Sequence, residues 1–232
     1  MLASGKSDIE KIDASITELF TLTPTEAEAS FETAISSSND ALRGPNAAVS
    51  KAIPVLRDTL TQGIASIQSI ERWISLNIPI MEDGNNFGVS IQMTVNESIK
   101  KKRECWTKKL DDIPSYYSSR ADAVDKLGLP KITKSETKTE SKSESTGGKD
   151  GDESKTSTSV VKEEKSDAGF LQNNYYRMKH LVSVDVQFYA TARMTMVDFL
   201  NDYITILDAI EKNKEKLSKP KGSNERGYGG WN

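Results

Sequence analysis

From Phe170 to Leu217 the chain runs without a single glycine or proline, and at 1.5 Å per residue an α-helix of that length measures roughly 70 Å. A rod of this kind belongs in a bundle of helices of comparable length, and the rest of the chain supplies three. Ile53, Leu56, Leu60, Ile64, Ile67, Ile70 and Ile74 form a heptad-like seam, which predicts a helix over about 47–78. Val89, Ile91, Val95 and Ile99 start the next, about 89–127, which continues through Trp106, Leu110, Ile113, Tyr117 and Val124 to Leu127. Pro114 either kinks it or marks a restart, and Gly128 and Pro130 stop it. Nearer the start, Ile9, Ile12, Ile16, Leu19, Ala27, Phe31 and Ala34 mark one face of a first helix over about 8–35. Pro24 after Thr23 fits a capped restart that divides or kinks that helix. The fourth covers about 170–218, where Pro220 ends it before a flexible tail over 219–232.

Between the third and fourth helices, residues 131–168 are almost entirely Lys, Glu, Asp, Ser, Thr and Gly. Such a segment cannot bury enough surface to offset its ordering entropy, so it reads as a disordered charged insert. It fits an apolar share of only 36%, low for a globular chain. Four long segments with short or disordered connections predict an all-α, antiparallel, up-down-up-down four-helix bundle in one domain. In that topology the connection between helices two and three lies at the same end as both chain termini, and the insert lies at the other.

The connection itself, Asn77 to Gln92, carries more chemistry than its length requires. Pro79 lacks an N–H and pushes Ile78 out of the helical region, so helix two must stop there. Asp83, Gly84, Asn85 and Asn86 tolerate left-handed backbone and bond their own main chain, which favours one defined loop shape able to present side chains. Taken alone, the stretch is a structural interhelical turn.

Enzyme chemistry finds no support in the residues. His180 is the only histidine, which excludes the paired Glu-x-x-His motifs of a di-iron bundle. A single Cys105 excludes an internal disulfide and a thiolate metal cage; a structural cysteine and a surface histidine are the plainer readings of Cys105 and His180. No phosphate-binding glycine loop is present, and the acidic run from Asp150 to Glu153 lacks the ligand spacing of a calcium loop. No run of eighteen apolar residues could span a membrane. The first residues carry no apolar h-region, so an intracellular protein is expected. The net charge of −3 argues for no strong attraction to nucleic acid or anionic lipid. Lys100, Lys101, Lys102 and Arg103 form a local basic cluster, but four consecutive residues sweep around most of a helix. A solvated surface is the plain reading; a channel lining or a nuclear import signal is the functional one. The tail from Arg226 to Asn232 has the aromatic and glycine character of RNA-binding segments, against a default of fraying.

The run Ile80-Met-Glu-Asp-Gly-Asn-Asn-Phe-Gly-Val-Ser-Ile-Gln92 closely resembles the activation loop of the 11S regulators, the REG family of heptameric activators of the 20S proteasome. The stretches Ile113 to Val124 and Lys212 to Gly222 are similar to the ends of that family's third and fourth helices, whereas helix one matches by position only. The resemblance implies a four-helix protomer, seven of which pack around a channel, with no ATP and no cofactor. It also implies that the C-terminal tails enter pockets between proteasome α subunits, where the terminal carboxylate pairs with a lysine. The loop over 79–88 then holds the α-subunit N-terminal segments open. The implied gate contacts are Glu82, Asp83, Gly84, Asn85, Asn86, Phe87 and Gly88: the glycines permit the backbone path, Glu82, Asn85 and Asn86 offer polar contacts, and Phe87 anchors the loop in its own bundle. The implied docking tail includes Tyr228, Trp231 and Asn232, and Lys100 to Arg103 become candidate channel lining. Two features depart from the family: the tail ends in Trp231-Asn232, and the insert joins helices three and four instead of one and two. Cytoplasm or nucleus is the expected location. The alternative reading is a helical scaffold or nucleic-acid-associated adaptor that docks through the loop and tail.

Overall fold

Thr23 and Pro24 divide the first helical stretch in two. Thr23 is extended, its Oγ1 accepts from Glu26 N at 3.3 Å, and Glu26 Oε2 accepts from Thr23 N at 2.8 Å. This capping box, with proline at the first helical position, satisfies amide groups that a helix start leaves orphaned. The hydrogen bond from the Thr23 backbone, and then that from the Thr23 hydroxyl to Glu26 Oε2 at 2.9 Å, hold the Glu26 carboxyl below its ordinary range.

The computed structural model describes residues 2–37, 42–80, 86–128 and 174–221. Its helices are α1 (Leu2–Leu19), α2 (Pro24–Ser36), α3 (Ala47–Leu76), α4 (Phe87–Lys126), α5 (Tyr175–Lys212) and α6 (Lys214–Ser218). The insert at 131–168 and the tail beyond 221 lie outside the described residues.

Asn46 caps α3, its Oδ1 accepting from the amides of Ala48 and Val49. The helix stops at Leu76, short of the expected 78, where Asn77 Nδ2 donates back to Trp73 O at 2.7 Å. α4 runs through Pro114 without a restart. Ile113 and Tyr116 on either side are buried, and their packing offsets the roughly 3 kcal/mol that an internal proline costs. Gly128, at φ 64°, ends α4 in the left-handed conformation that helix C-termini favour. The expected single helix over 170–218 breaks at Asn213, whose Nδ2 donates to Ala209 O at 2.8 Å. The turn that follows carries Leu217 into the core.

Cross-helix pairs fix the directions. Tyr203 donates to Asp8 and Tyr189 to Leu19 O, so α1 and α5 run antiparallel. Arg103 meets Glu71 and Asn96 meets Ser75 between α3 and α4; Trp106 meets Asp202 and Tyr116 meets Asp185 between α4 and α5. The result is the up-down-up-down bundle. Leu60, Ile67 and Ile74 of α3, Ile99 and Trp106 of α4, and Tyr189, Met196 and Phe199 of α5 fill its axis. Two expectations for the middle of α4 need correcting. Tyr117, expected on the apolar face of α4, is 51% exposed, and Tyr116 occupies the core, because Ile113, Tyr116, Arg120 and Ala123 share one line of the 3.6-residue repeat. Cys105, expected to be structural, is exposed.

Candidate functional site

The end of α3, the first turn of α4 and α6 meet at one end of the bundle. Gln92, fully buried on α4, donates from Nε2 to Asn77 O at 3.1 Å and to Leu217 O at 2.8 Å. One turn earlier, Gly88 lies against the backbone of Pro220, so closely that a Cβ on it would sit 2.0 Å from Pro220 O. Only glycine permits that approach. Val89 beside it is buried. The root of the C-terminal tail is thereby fastened to the start of α4, next to the 79–88 connection.

Asn86 precedes α4 without a side-chain cap, and its carbonyl accepts from Ser90 N. Phe87 is 64% exposed and does not anchor the loop in its own bundle; Gly88, Val89 and Gln92 hold that turn instead, as the residues that point inward. Leu76 and Ile80 are also exposed at this end, with Trp73 and Met93 half-exposed nearby. Glu82, Asp83, Gly84 and Asn85 of the expected loop, and Tyr228, Trp231 and Asn232 of the expected tail, lie outside the described residues.

The basic cluster divides into two pairs. Lys102 forms an ion pair with Asp202 of α5, which also accepts from Trp106 Nε1 at 3.2 Å, and Arg103 Nε lies 2.8 Å from Glu71 Oε1 of α3. These two charges are spent holding α4 to its neighbours. Lys100 and Lys101 face solvent, Lys101 within 3.8 Å of Glu97, and they alone of the four keep the exposure that a channel lining needs.

Sequence reasoning missed the polar cluster inside the bundle. Asp185 is fully buried, and its Oδ1 accepts from Tyr116 Oη at 2.9 Å and from Arg120 Nε at 3.0 Å. The available signal was register: Arg120 follows Ile113 and Tyr116, and Asp185 lies between Leu181 and Tyr189, each at a position where a core residue belongs. Burial, and then the Asp185 charge, push the Tyr116 phenol above its ordinary range. The folded state therefore keeps its proton where the unfolded chain has lost it, at about pH 10. The stability this contributes is complete below that pH and declines as pH rises further. In urea titrations at alkaline pH, Tyr116→Phe should show a shallower decline than wild type.

Cys105 sits mid-α4 next to Trp106, whose ring meets that of Phe199 at 4.2 Å, whereas His180 is exposed near the opposite end, where it lines a hollow with Lys126, Tyr176 and Arg177. Nineteen residues of α5 separate the two levels, roughly 28 Å, which rules out a nucleophile and base pair. Among the described residues no group of His, Cys, Asp and Glu could hold a metal ion, and no helix is long and apolar enough to cross a membrane.

The chain is an all-α bundle in which the start of α4 and the root of the C-terminal tail are fastened together at one end, and comparison narrows the class. The chain belongs to the proteasome activator PA28 family: residues 43–137 and 172–227 match its C-terminal domain. The match passes over 138–171, which takes in most of the charged insert, and begins after α1 and α2. "Proteasome activator 28" of Dictyostelium discoideum is 30% identical over 161 residues, covering 69% of this chain and 53% of that protein. The human "Proteasome activator complex subunit 3" is 27% identical over 161 residues, covering 69% and 47%. The chain thus spans about half the length of the curated relatives it matches. The crystal structure of the 11S subunit of the Plasmodium falciparum proteasome, PA28, shares the fold, with a TM-score of 0.53 at 24% identity over 75% of this chain and 56% of that one.

Proposed function

We propose that this chain is an ATP-independent activator that binds the end rings of the 20S proteasome through its C-terminal tails and opens the α-ring gate with the loop over 79–88. The observation that carries the reading is the fastening of tail root to loop base, Gln92 to Leu217 and Gly88 to Pro220. It brings together the base of the loop and the root of the tail, the places from which the two elements an opener needs depart.

The physical logic is additive. A single tail pays ordering entropy and binds weakly, but several on one rigid ring act at high effective concentration. We therefore propose that the chain self-associates into a ring, seven copies as in the resemblance, with Lys100 and Lys101 available to line its channel. Loops that contact only the open gate then shift its population by their differential affinity. The chain needs no cofactor and performs no bond cleavage of its own, and it works in the cytoplasm or nucleus.

The test is hydrolysis of fluorogenic peptides by latent 20S proteasome, with the protein, its Asn85→Tyr variant and a chain lacking the last residues, after native mass spectrometry of the ring. Stimulation by the wild type that is lost in both variants supports the reading. A ring that stimulates nothing leads to the scaffold reading.

A further inference from the structure

We infer that Gln92 is a positioning residue that locks the height of the gate-contacting loop to the root of the docking tail, so that engagement of the tail is transmitted to the loop. This rests on the activator reading above.

The register of α4 makes the residue conspicuous. Val89, Gln92, Val95 and Ile99 share its inward face, so an apolar side chain is what packing alone would select. A buried amide at such a position is costly unless its polar atoms are paired. Oε1 is buried with no hydrogen-bond partner among the described residues, whereas both donors are used, on carbonyls of two different elements: Asn77 O, just past the end of α3, and Leu217 O, in the last turn of α6. Carbonyls at helix ends lack intrahelical partners, so one side chain serves two helix termini that lie far apart in the chain.

Gly88, four residues earlier, lies on the same strip of α4. There the strip meets Pro220, three residues beyond Leu217, backbone against backbone. The chain from α6 to Pro220 therefore lies along the strip, held at both ends. Asn86 and Phe87 begin immediately beyond it. A displacement of the tail root moves the turn that carries them, because no flexible side chain intervenes at Gly88 and Gln92 grips both neighbours. Without Gln92 the tail still reaches its pocket, but the loop is no longer fixed relative to it.

The experiment compares wild type with Gln92→Leu, which removes the donors, Gln92→Glu, which sets a carboxylate against two carbonyls, and Ile99→Val, a core change on the same helix face outside the junction. Ring mass, the concentration giving half-maximal stimulation of 20S peptidase activity, the maximal stimulation, and amide hydrogen exchange of the free ring are measured for each. Both Gln92 variants should keep ring mass and a half-maximal concentration within about threefold of wild type while maximal stimulation falls by about fivefold or more, as expected when the loop loses its preference for the open gate. Exchange should quicken together at residues 88–92 and 217–219. Ile99→Val should retain maximal stimulation. Undiminished stimulation in Gln92→Leu overturns the inference, as does a loss that Ile99→Val reproduces. A wild-type ring that stimulates nothing sinks the activator reading itself; exchange then decides the junction, which falls if only one of the two segments quickens.

Discussion

Asp185→Ala should lower the unfolding free energy by about 3–5 kcal/mol, the cost of leaving a buried charge without its partner. The carboxylate is fully buried and sits between Tyr116 Oη and Arg120 Nε. Removing it strands a guanidinium with only 10% of its side chain exposed and takes away the acceptor of a buried phenol. A hollow of about 630 Å³ bordered by Leu22, Phe31 and Ala48 reaches Arg120 and Asp185. Water entering there places the cost towards the lower end of the range. Replacing Asp185, Arg120 and Tyr116 together by apolar side chains of similar volume should cost much less than Asp185→Ala alone, because no charge is then left unpaired. Urea unfolding at one protomer concentration, with equal m-values, checks both statements; a fixed concentration matters because self-association adds to apparent stability. A loss under 1 kcal/mol for Asp185→Ala would mean that Arg120 finds solvent easily and the cluster is not structural.

The fold was legible in sequence wherever apolar spacing carried it. The seam from Ile53 to Ile74 became α3, and Pro79 marked its end to within two residues. Pro24 and Thr23 located the division between α1 and α2 for a local reason, a capping box complete in four residues. Pro114 does not restart α4 because propensity is a local preference and packing is not: Ile113 and Tyr116 are committed to the core on both sides of it. Asn213 escaped notice because its break is made by a side chain bonding back to Ala209 O, a choice no periodicity records. The candidate site divides in the same way. Topology alone put the base of the loop beside the root of the tail, and contacts far apart in sequence then revealed what joins those two points. Gln92 stood inside the recognised run as its last residue, with no role assigned. Phe87 misled because its anchoring role came from the family resemblance alone, whereas at the first position of α4 it is largely exposed, off the buried strip of Gly88 and Gln92. Lys102 and Arg103 found partners on α5 and α3, which composition could not show.

Gly88→Ala should yield a ring that is as stable as wild type but stimulates the proteasome about tenfold less. The added Cβ is the whole perturbation: it would sit 2.0 Å from Pro220 O and 2.7 Å from two further Pro220 backbone atoms, and neither is the yielding tip of a side chain. One of the two segments must move. The first turn of α4 is held by buried Val89 and Gln92, whereas the segment at Pro220 follows a helix of only five residues, so the tail root is the part that leaves. Alanine in place of glycine in a helix ordinarily gains up to about 1 kcal/mol, which offsets the lost contact and keeps the melting temperature within a few degrees. Activity carries the whole defect, since avidity depends on each tail leaving the ring at a fixed place and each loop meeting the gate at a fixed height. Thr94→Ala, at an exposed position of α4, should stimulate like wild type. Peptide hydrolysis with 20S proteasome, alongside thermal melts and native mass of the same samples, checks the prediction. If Gly88→Ala stimulates fully, the close backbone approach is a feature of packing and the loop and tail act independently; if it melts much earlier, the contact belongs to the fold before it belongs to the function.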